Sequence, residues 1–181
     1  GFCAALQGGS ESARQAALGG VILQMFNHGI NAATLFGLVA FVERRSGGLR
    51  GLDDFGGLRK AAPVFCGVMG MAVFASLGLP GLNGFPGEFL IFTGVFAAAP
   101  WAAVASVLGL LLTAVFLLGL MQRMFHGPLP GRWSGWTDLS PREWAMMIPS
   151  LGLMLVLGVY PQALLGIVNA AVVELAAVWA P

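Results

Sequence analysis

The sequence contains little charge, and its long apolar stretches are almost free of ionisable residues. Of its 181 residues, 57% are hydrophobic and only 9% are charged, whereas soluble domains carry about 25% charged residues. Too little polar surface is left to cover a globule in water, so the composition indicates an integral membrane protein. The formal net charge is only +1, and no strongly basic field is present that would recruit nucleic acid.

Metal and nucleotide chemistry lack their usual sequence signals. The two cysteines, Cys3 and Cys66, lie far apart in apolar segments, where a cysteine ordinarily serves as a small core residue. The sequence contains no Cys-x-x-Cys, His-Glu-x-x-His or P-loop pattern, and we therefore expect no metal and no bound cofactor in this chain. Residues 1–7 are typical of the end of an apolar helix, so we expect a fragment of a longer chain.

The apolar segments predict an all-α, polytopic transmembrane helix bundle over residues 1–181. A membrane crossing needs about 20 apolar residues, and the segments at about 16–42, 101–121 and 144–160 each predict one crossing. The segment at 61–99 is long enough for two short crossings or for one interrupted crossing. A last apolar piece, 163–179, contains Glu174, which we expect to face water on an interfacial helix.

The distribution of basic residues favours one interrupted crossing for residues 61–99. The regions 43–60 and 123–142 carry eight of the nine Lys and Arg residues. If residues 61–99 cross the membrane once, the next helix brings the chain back, and the two regions lie on the same side. If residues 61–99 cross twice, the two regions lie on opposite sides. Because basic loops face the cytoplasm, we expect one crossing and basic loops on the cytoplasmic side of a bacterial inner membrane.

The predicted interruption contains Glu88, the first candidate for a functional residue. Glu88 is the only charged residue between Lys60 and Arg123, and a carboxylate at a bilayer centre costs roughly 2.5–3.5 kcal/mol on insertion scales. Non-helical backbone at membrane depth is tolerated only inside protein or beside a water-filled cavity. A lone acidic residue beside a broken helix is typical of ion or proton pathways. The alternative is a structural carboxyl group bonded to free amides of the break. The predicted helix-breaking residues are Pro80, Gly81, Gly84, Pro86 and Gly87.

The first predicted helix contains the second candidate. His28 is the only ionisable residue between Arg14 and Glu43, and spacings of three and four residues predict that it shares a helical face with other polar residues. In lipid such a face turns toward other helices or water. It provides either hydrogen bonds between helices or a proton relay through His28, since the reference pKa of histidine is ~6.5. The other polar residues of this face are Gln24, Asn27, Asn31 and Thr34.

The order of these motifs resembles the antiporter-like membrane subunits of respiratory complex I. Residues 79–89 (LPGLNGFPGEF) are similar to the broken helix of that family, and residues 23–29 (LQMFNHG) to the helix before it. Similar stretches follow at 55–58, 122–128 and 158–162. Related subunits commonly carry lysine where this chain has Glu88, so the likeness is to the M-type subunit (subunit 4), of which this chain would be the C-terminal third.

The resemblance implies a proton-translocating subunit of an NADH:quinone oxidoreductase, which couples quinone reduction to proton export through a buried polar axis. It implies that Glu88 ends this axis near the outer side and that His28 belongs to it. NADH, FMN, iron–sulfur clusters and quinone would be bound by partner subunits, so the chain would serve an enzyme without carrying a redox centre. Its partners would be other membrane subunits, the peripheral redox arm and the lipid bilayer. Two alternatives stay open: a cation/proton antiporter subunit without a redox partner, and a structural membrane scaffold.

Overall fold

The described part of the chain is built from helices and loops. The computed structural model describes residues 10–178, and within this range it contains no strand. The all-α class predicted from the sequence is confirmed. The expectations for residues 1–7, Cys3 and residue 179 fall outside the described range. The helices are α1 (Glu11–Ser46), α2 (Pro63–Ser76), α3 (Gly84–Ala98), α4 (Pro100–Phe125), α5 (Pro141–Val159) and α6 (Gln162–Val178), with single 3₁₀ turns at Leu52–Asp54, Leu58–Lys60 and Gly131–Trp133.

Three of these helices, α1, α4 and α5, are long and apolar enough to cross a membrane. The neighbouring helices α2 and α3 have only 14 and 15 residues. At 1.5 Å per residue each of them extends about 21–23 Å, which is less than the ~30 Å of a bilayer's hydrocarbon core. Neither α2 nor α3 alone is therefore long enough for a complete crossing.

The helices α2 and α3 follow one another along α1 as two halves of one interrupted helix. Near the C-terminus of α1, the Arg45 guanidinium lies 6.0 Å from the ring centroid of Phe65 in α2. Near the middle of α1, the Asn27 side chain donates a hydrogen bond to the backbone carbonyl of Asn83, which lies between the two halves. Closer to its N-terminus, Gly20 packs against α3. The predicted discontinuous helix is thus confirmed, and it runs antiparallel to α1.

Glycines let α1 and α3 approach closely. A methyl group at Gly20 of α1 would lie 2.8 Å from the backbone nitrogen of Ile91, and one at Gly94 of α3 would lie 2.6 Å from the Cβ of Ala17. Any side chain larger than hydrogen at these positions would separate the two helices. Small residues at the interface are the usual means by which helices associate in lipid, where the hydrophobic effect does not drive them together.

The ends of α1, α2 and α5 meet in a buried polar cluster. Arg45 of α1 forms an ion pair with Glu143 of α5 at 2.6 Å, and the Glu143 side chain is only 4% exposed. Glu143 also completes a capping box with Ser140 at the start of α5. The carboxylate of Asp138 accepts hydrogen bonds from the amides of residues 64 and 65 and so caps α2. These contacts fix the three helices at one end of the bundle. We call it the basic end, because the regions 43–60 and 123–142 carry eight of the nine Lys and Arg residues.

The remaining helices complete the bundle around α1 and the interrupted helix. The last turn of α5 reaches the interruption, where Gly158 packs directly on the backbone of Gly81 and Leu82. The helix α6 packs on the N-terminal half of α1 through a small cluster of Leu18, Val172 and Ala176. The helix α4 returns along α2, and most of its apolar side chains are exposed, as expected for a helix that faces lipid or further protein.

Candidate functional site: a carboxyl group at the helix interruption

The interruption covers residues 77–83, between the last residue of α2 and the first of α3. It opens with a Schellman motif, in which the Leu79 amide donates to the Phe74 carbonyl at 3.0 Å and the Gly78 amide to the Ala75 carbonyl at 3.4 Å. Gly78 has a φ of +66° and Gly81 a φ of +92°, a region that residues with a side chain adopt at a cost. The local sequence thus ends α2 with hydrogen bonds of its own backbone.

The interruption lies slightly earlier in the chain than the sequence predicts. Pro80 and Gly81 lie within it, as predicted, whereas Gly84, Pro86 and Gly87 lie in the first turn of α3. The first amides of a helix have no intrahelical acceptor, so the missing N–H of Pro86 removes no hydrogen bond there. The proline therefore allows the new helix to start and does not break it.

Glu88 lies in α3, just after this first turn, and is half-buried. The Gln24 Nε2 of α1 donates a hydrogen bond to its Oε1 at 3.4 Å. On the other side the carboxyl group packs against Gly78, where a methyl group would lie 2.9 Å from the carboxyl carbon. The carboxyl group is thus held between α1 and the C-terminal cap of α2. Within residues 10–178 no Lys or Arg forms an ion pair with it.

Most of the predicted polar face of α1 is buried, and two of its residues contact the interrupted helix. Asn27, Asn31 and Thr34 are buried, and Gln24 is half-buried. The Asn27 Nδ2 donates to the Asn83 carbonyl at 2.5 Å, while the Thr34 hydroxyl bonds to the carbonyl one turn earlier in its own helix at 2.8 Å. The structure therefore brings Asn27 to the interruption and Gln24 to Glu88.

Unlike these polar residues, His28 is exposed on the described part of the chain. One residue advances the side chain by about 100° around a helix of 3.6 residues per turn. His28 is therefore rotated by about 100° from Asn27, although its spacings to Gln24 and Asn31 are four and three. The predicted common face does not extend to His28 within residues 10–178, and its place in a relay stays a prediction.

Asn83 is a site residue that sequence reasoning does not single out. Its side chain is fully buried at 0% exposure, and neither of its amide atoms has a hydrogen-bond partner within the described residues. The side-chain oxygens of Asn27 and Asn31 likewise have none there. Buried polar atoms are normally paired with protein groups or ordered water, so these amides provide unpaired buried polar groups along α1 and at the interruption. The available signal is that Asn83 is the only polar side chain within the interruption.

Comparison with known proteins finds a matching family and related subunits. The sequence model of the family described as "NADH:quinone oxidoreductase/Mrp antiporter, TM" matches residues 9–113, which include α1, α2, the interruption and α3. NADH-quinone oxidoreductase subunit M of Mycobacterium tuberculosis is 40% identical over 153 residues, which cover 84% of this chain and 28% of that protein. Subunit M of Pseudomonas aeruginosa is 37% identical over 159 residues, which cover 88% of this chain and 31% of that protein.

A solved structure shows the same fold. A chain of respiratory complex I from Thermus thermophilus with bound NADH superposes with a TM-score of 0.70 and 29% sequence identity, covering 90% of this chain and 37% of that one. The chain described here spans less than a third of the length of the two subunit M relatives. The similarity therefore concerns one part of a longer protein.

Proposed function

This chain belongs to the NADH:quinone oxidoreductase/Mrp antiporter transmembrane family, and we propose that it is the C-terminal part of a proton-translocating M-type subunit of an NADH:quinone oxidoreductase. In this role the chain contributes a section of a proton path and carries no redox centre. NADH, FMN, iron–sulfur clusters and quinone are bound by partner subunits of the membrane part and the peripheral arm. The names of the relatives support this assignment, since both are quinone oxidoreductase subunits.

The observation that carries the proposal is the position of Glu88. Its half-buried carboxyl group lies at the helix interruption, with Gln24 as hydrogen-bond donor and no ion-pair partner within residues 10–178. An adjacent permanent cation would favour the ionised form and hold it there. Without one, the carboxyl group can gain and lose a proton without breaking an ion pair. We therefore assign Glu88 as the proton-exchanging group of this section.

The amides beside Glu88 form the proposed path to it. Asn27, Asn31 and Asn83 have buried side-chain atoms without partners in the described residues, and such groups suit hydrogen bonding to internal water. A chain of water held by these amides would lead along α1 to Gln24 and Glu88. His28 would join this path through residues of the longer protein, because its ring is exposed on the present part of the chain.

The direct test is the Glu88→Gln substitution in the complete complex. The variant keeps the shape of the side chain and removes the exchangeable proton, so the number of protons pumped per electron should fall while assembly stays normal. Glu88→Asp retains a carboxyl group and should be milder. Glu174→Gln is the matched control, since Glu174 is an exposed acid on α6. A wild-type proton-to-electron ratio in assembled Glu88→Gln complex would refute the proposal and leave Glu88 as a structural residue.

The proposed orientation places the basic end of the bundle in the cytoplasm of a bacterial cell and Glu88 in the outer half of the membrane. The concentration of Lys and Arg in the regions 43–60 and 123–142 supports it. Single cysteines introduced at exposed positions of 43–60 and 127–138 should both react with a membrane-impermeant thiol reagent from the cytoplasmic side. Reaction of the two loops from opposite faces would overturn this orientation.

The second candidate is a subunit of a cation/proton antiporter, because the matching family includes Mrp antiporters. In that case the same carboxyl group would exchange protons against a cation gradient, without electron transfer. Proton uptake that is driven by NADH and abolished by a quinone-site inhibitor supports the oxidoreductase. Proton movement that follows a sodium gradient in the absence of NADH supports the antiporter.

A further inference from the structure

A pocket of about 630 Å³ opens between the last turns of α1 and the first turn of α5. Arg44 and Arg142 line its polar side, and Phe41 and Met146 line its apolar side. The Arg44 side chain is 76% exposed, and Met146 is 65% exposed. The pocket is thus amphipathic and lies at the basic end of two membrane-crossing helices, outside the proposed proton path.

The charge within the pocket is positive. Glu143 also lines it, but Arg45 binds this carboxylate at 2.6 Å and Ser140 donates to it through both its amide and its hydroxyl. Arg44 approaches Glu143 only to 3.6 Å, and Arg142 forms no ion pair within the described residues. Three arginines against one glutamate leave a surplus of +2, carried by the two exposed guanidinium groups.

Two nearby acids do not cancel this surplus, because each has partners of its own. The Asp138 carboxylate accepts the amides of Val64 and Phe65 at the start of α2. Glu43 forms an ion pair with Arg50 at 2.7 Å. The pocket therefore presents two guanidinium groups beside an apolar wall at the end of two helices long enough to cross a membrane.

We propose that this pocket binds one phospholipid with an anionic headgroup. Basic pockets between transmembrane helices bind acidic headgroups, and guanidinium groups suit phosphate because they donate two parallel hydrogen bonds. Phe41 and Met146 would contact the acyl chains directly below the phosphate, which explains why the two arginines border an apolar surface. The inference requires only that the chain crosses a membrane, so it is independent of proton transfer by Glu88.

The test uses the complete complex in detergent, titrated with a phosphatidylglycerol and followed by native mass spectrometry. Arg44→Gln/Arg142→Gln is compared with Arg50→Gln/Arg59→Gln, which removes the same charge from the same end of the bundle but does not alter the pocket lining. The first pair should lose one tightly bound anionic lipid per complex. The Kd of that lipid should rise about 30-fold, equivalent to about 2 kcal/mol at 1.36 kcal/mol per tenfold.

Further arms identify the ligand and keep the test decisive. Substitution of both arginines by lysine should retain the lipid, phosphatidylcholine should show no difference between the two Gln pairs, and inorganic phosphate should not displace the phosphatidylglycerol. If the double variant fails to assemble, Arg142→Gln alone serves, because Arg142 is exposed and makes no ion pair in the described residues. The proposal is overturned if both Gln pairs bind the lipid equally, if free phosphate displaces it, or if the wild-type pocket takes up no anionic lipid.

Discussion

Two glycines of the interruption provide an internal control for the role of Glu88. Both Gly78 and Gly81 have positive φ values, +66° and +92°. A methyl group at Gly78 would lie 2.9 Å from the carboxyl carbon of Glu88, whereas one at Gly81 would meet no atom of residues 10–178 within 4 Å. Substitution by alanine therefore introduces the same kind of backbone strain at both positions, but displaces the carboxyl group at only one of them.

The expected magnitudes follow from these distances. The left-handed conformation costs a residue with a Cβ roughly 1–2 kcal/mol, so both variants should destabilise the protein by about that amount. The methyl group that Gly78→Ala adds would come closest to the Glu88 Oε2, and because non-bonded heavy atoms in contact lie about 3.5–4.0 Å apart, the carboxyl group must move by about 1 Å or more. The Gln24–Glu88 hydrogen bond is already 3.4 Å long and would be lost. A misplacement of about 1 Å can reduce a reaction on the order of 100-fold.

The assay is NADH-driven proton uptake by membrane vesicles that contain equal amounts of assembled complex. Gly81→Ala should retain the wild-type rate of coupled proton uptake, while Gly78→Ala should reduce it by roughly 10–100-fold. Thermal melting of the two purified complexes should show a modest loss of stability in both, which is somewhat larger for Gly78→Ala because it also loses the Gln24–Glu88 hydrogen bond. Equal rates of proton uptake in the two variants would show that the position of the Glu88 carboxyl group does not matter for proton transfer.

Three further substitutions test other parts of the structure. Asn27→Leu leaves a carbonyl of the interruption without its donor and should destabilise the complex by about 1–3 kcal/mol, seen as a lower melting temperature. Arg45→Gln removes the 2.6 Å ion pair of the buried Glu143 carboxylate and should destabilise the complex by about 3–5 kcal/mol. Arg50→Gln, which breaks an exposed ion pair, should leave the melting temperature almost unchanged. His28→Gln should keep the melting temperature but lower the pumping rate, and an unchanged rate would remove His28 from the path.

The main features of the fold follow from composition and helix-breaking residues. Apolar runs of about 20 residues define the crossings, and the proline and glycine residues near position 80 define the interruption. The helix ends are less predictable, since α1 extends to Ser46, four residues past the predicted 42. The helix is closed by Gly47, which has a φ of +71°, and its last turn carries Arg45, which forms an ion pair with Glu143 of α5. Such partners lie about 100 residues away in the sequence and cannot be read from the local pattern.

The candidate site is only partly predictable for a related reason. Glu88 is evident because a lone carboxylate in an apolar segment is costly. The packed face of α1 is harder to identify, because apolar side chains occur both inside the bundle and toward lipid, and periodicity does not separate the two faces. His28 and Asn27 are adjacent in the sequence, yet one is exposed and the other is 0% exposed. The contact of Gly78 with Glu88 depends on the path of the chain through the interruption.

We propose above all that the Glu88 carboxyl group gains and loses a proton during turnover. Infrared difference spectroscopy of the complete complex, recorded between the resting and the NADH-energised state, detects the C=O stretch of protonated carboxyl groups. We predict a carboxyl difference band in the wild-type complex that is absent from Glu88→Gln and retained in Glu174→Gln. An unchanged carboxyl difference band in Glu88→Gln would contradict the claim.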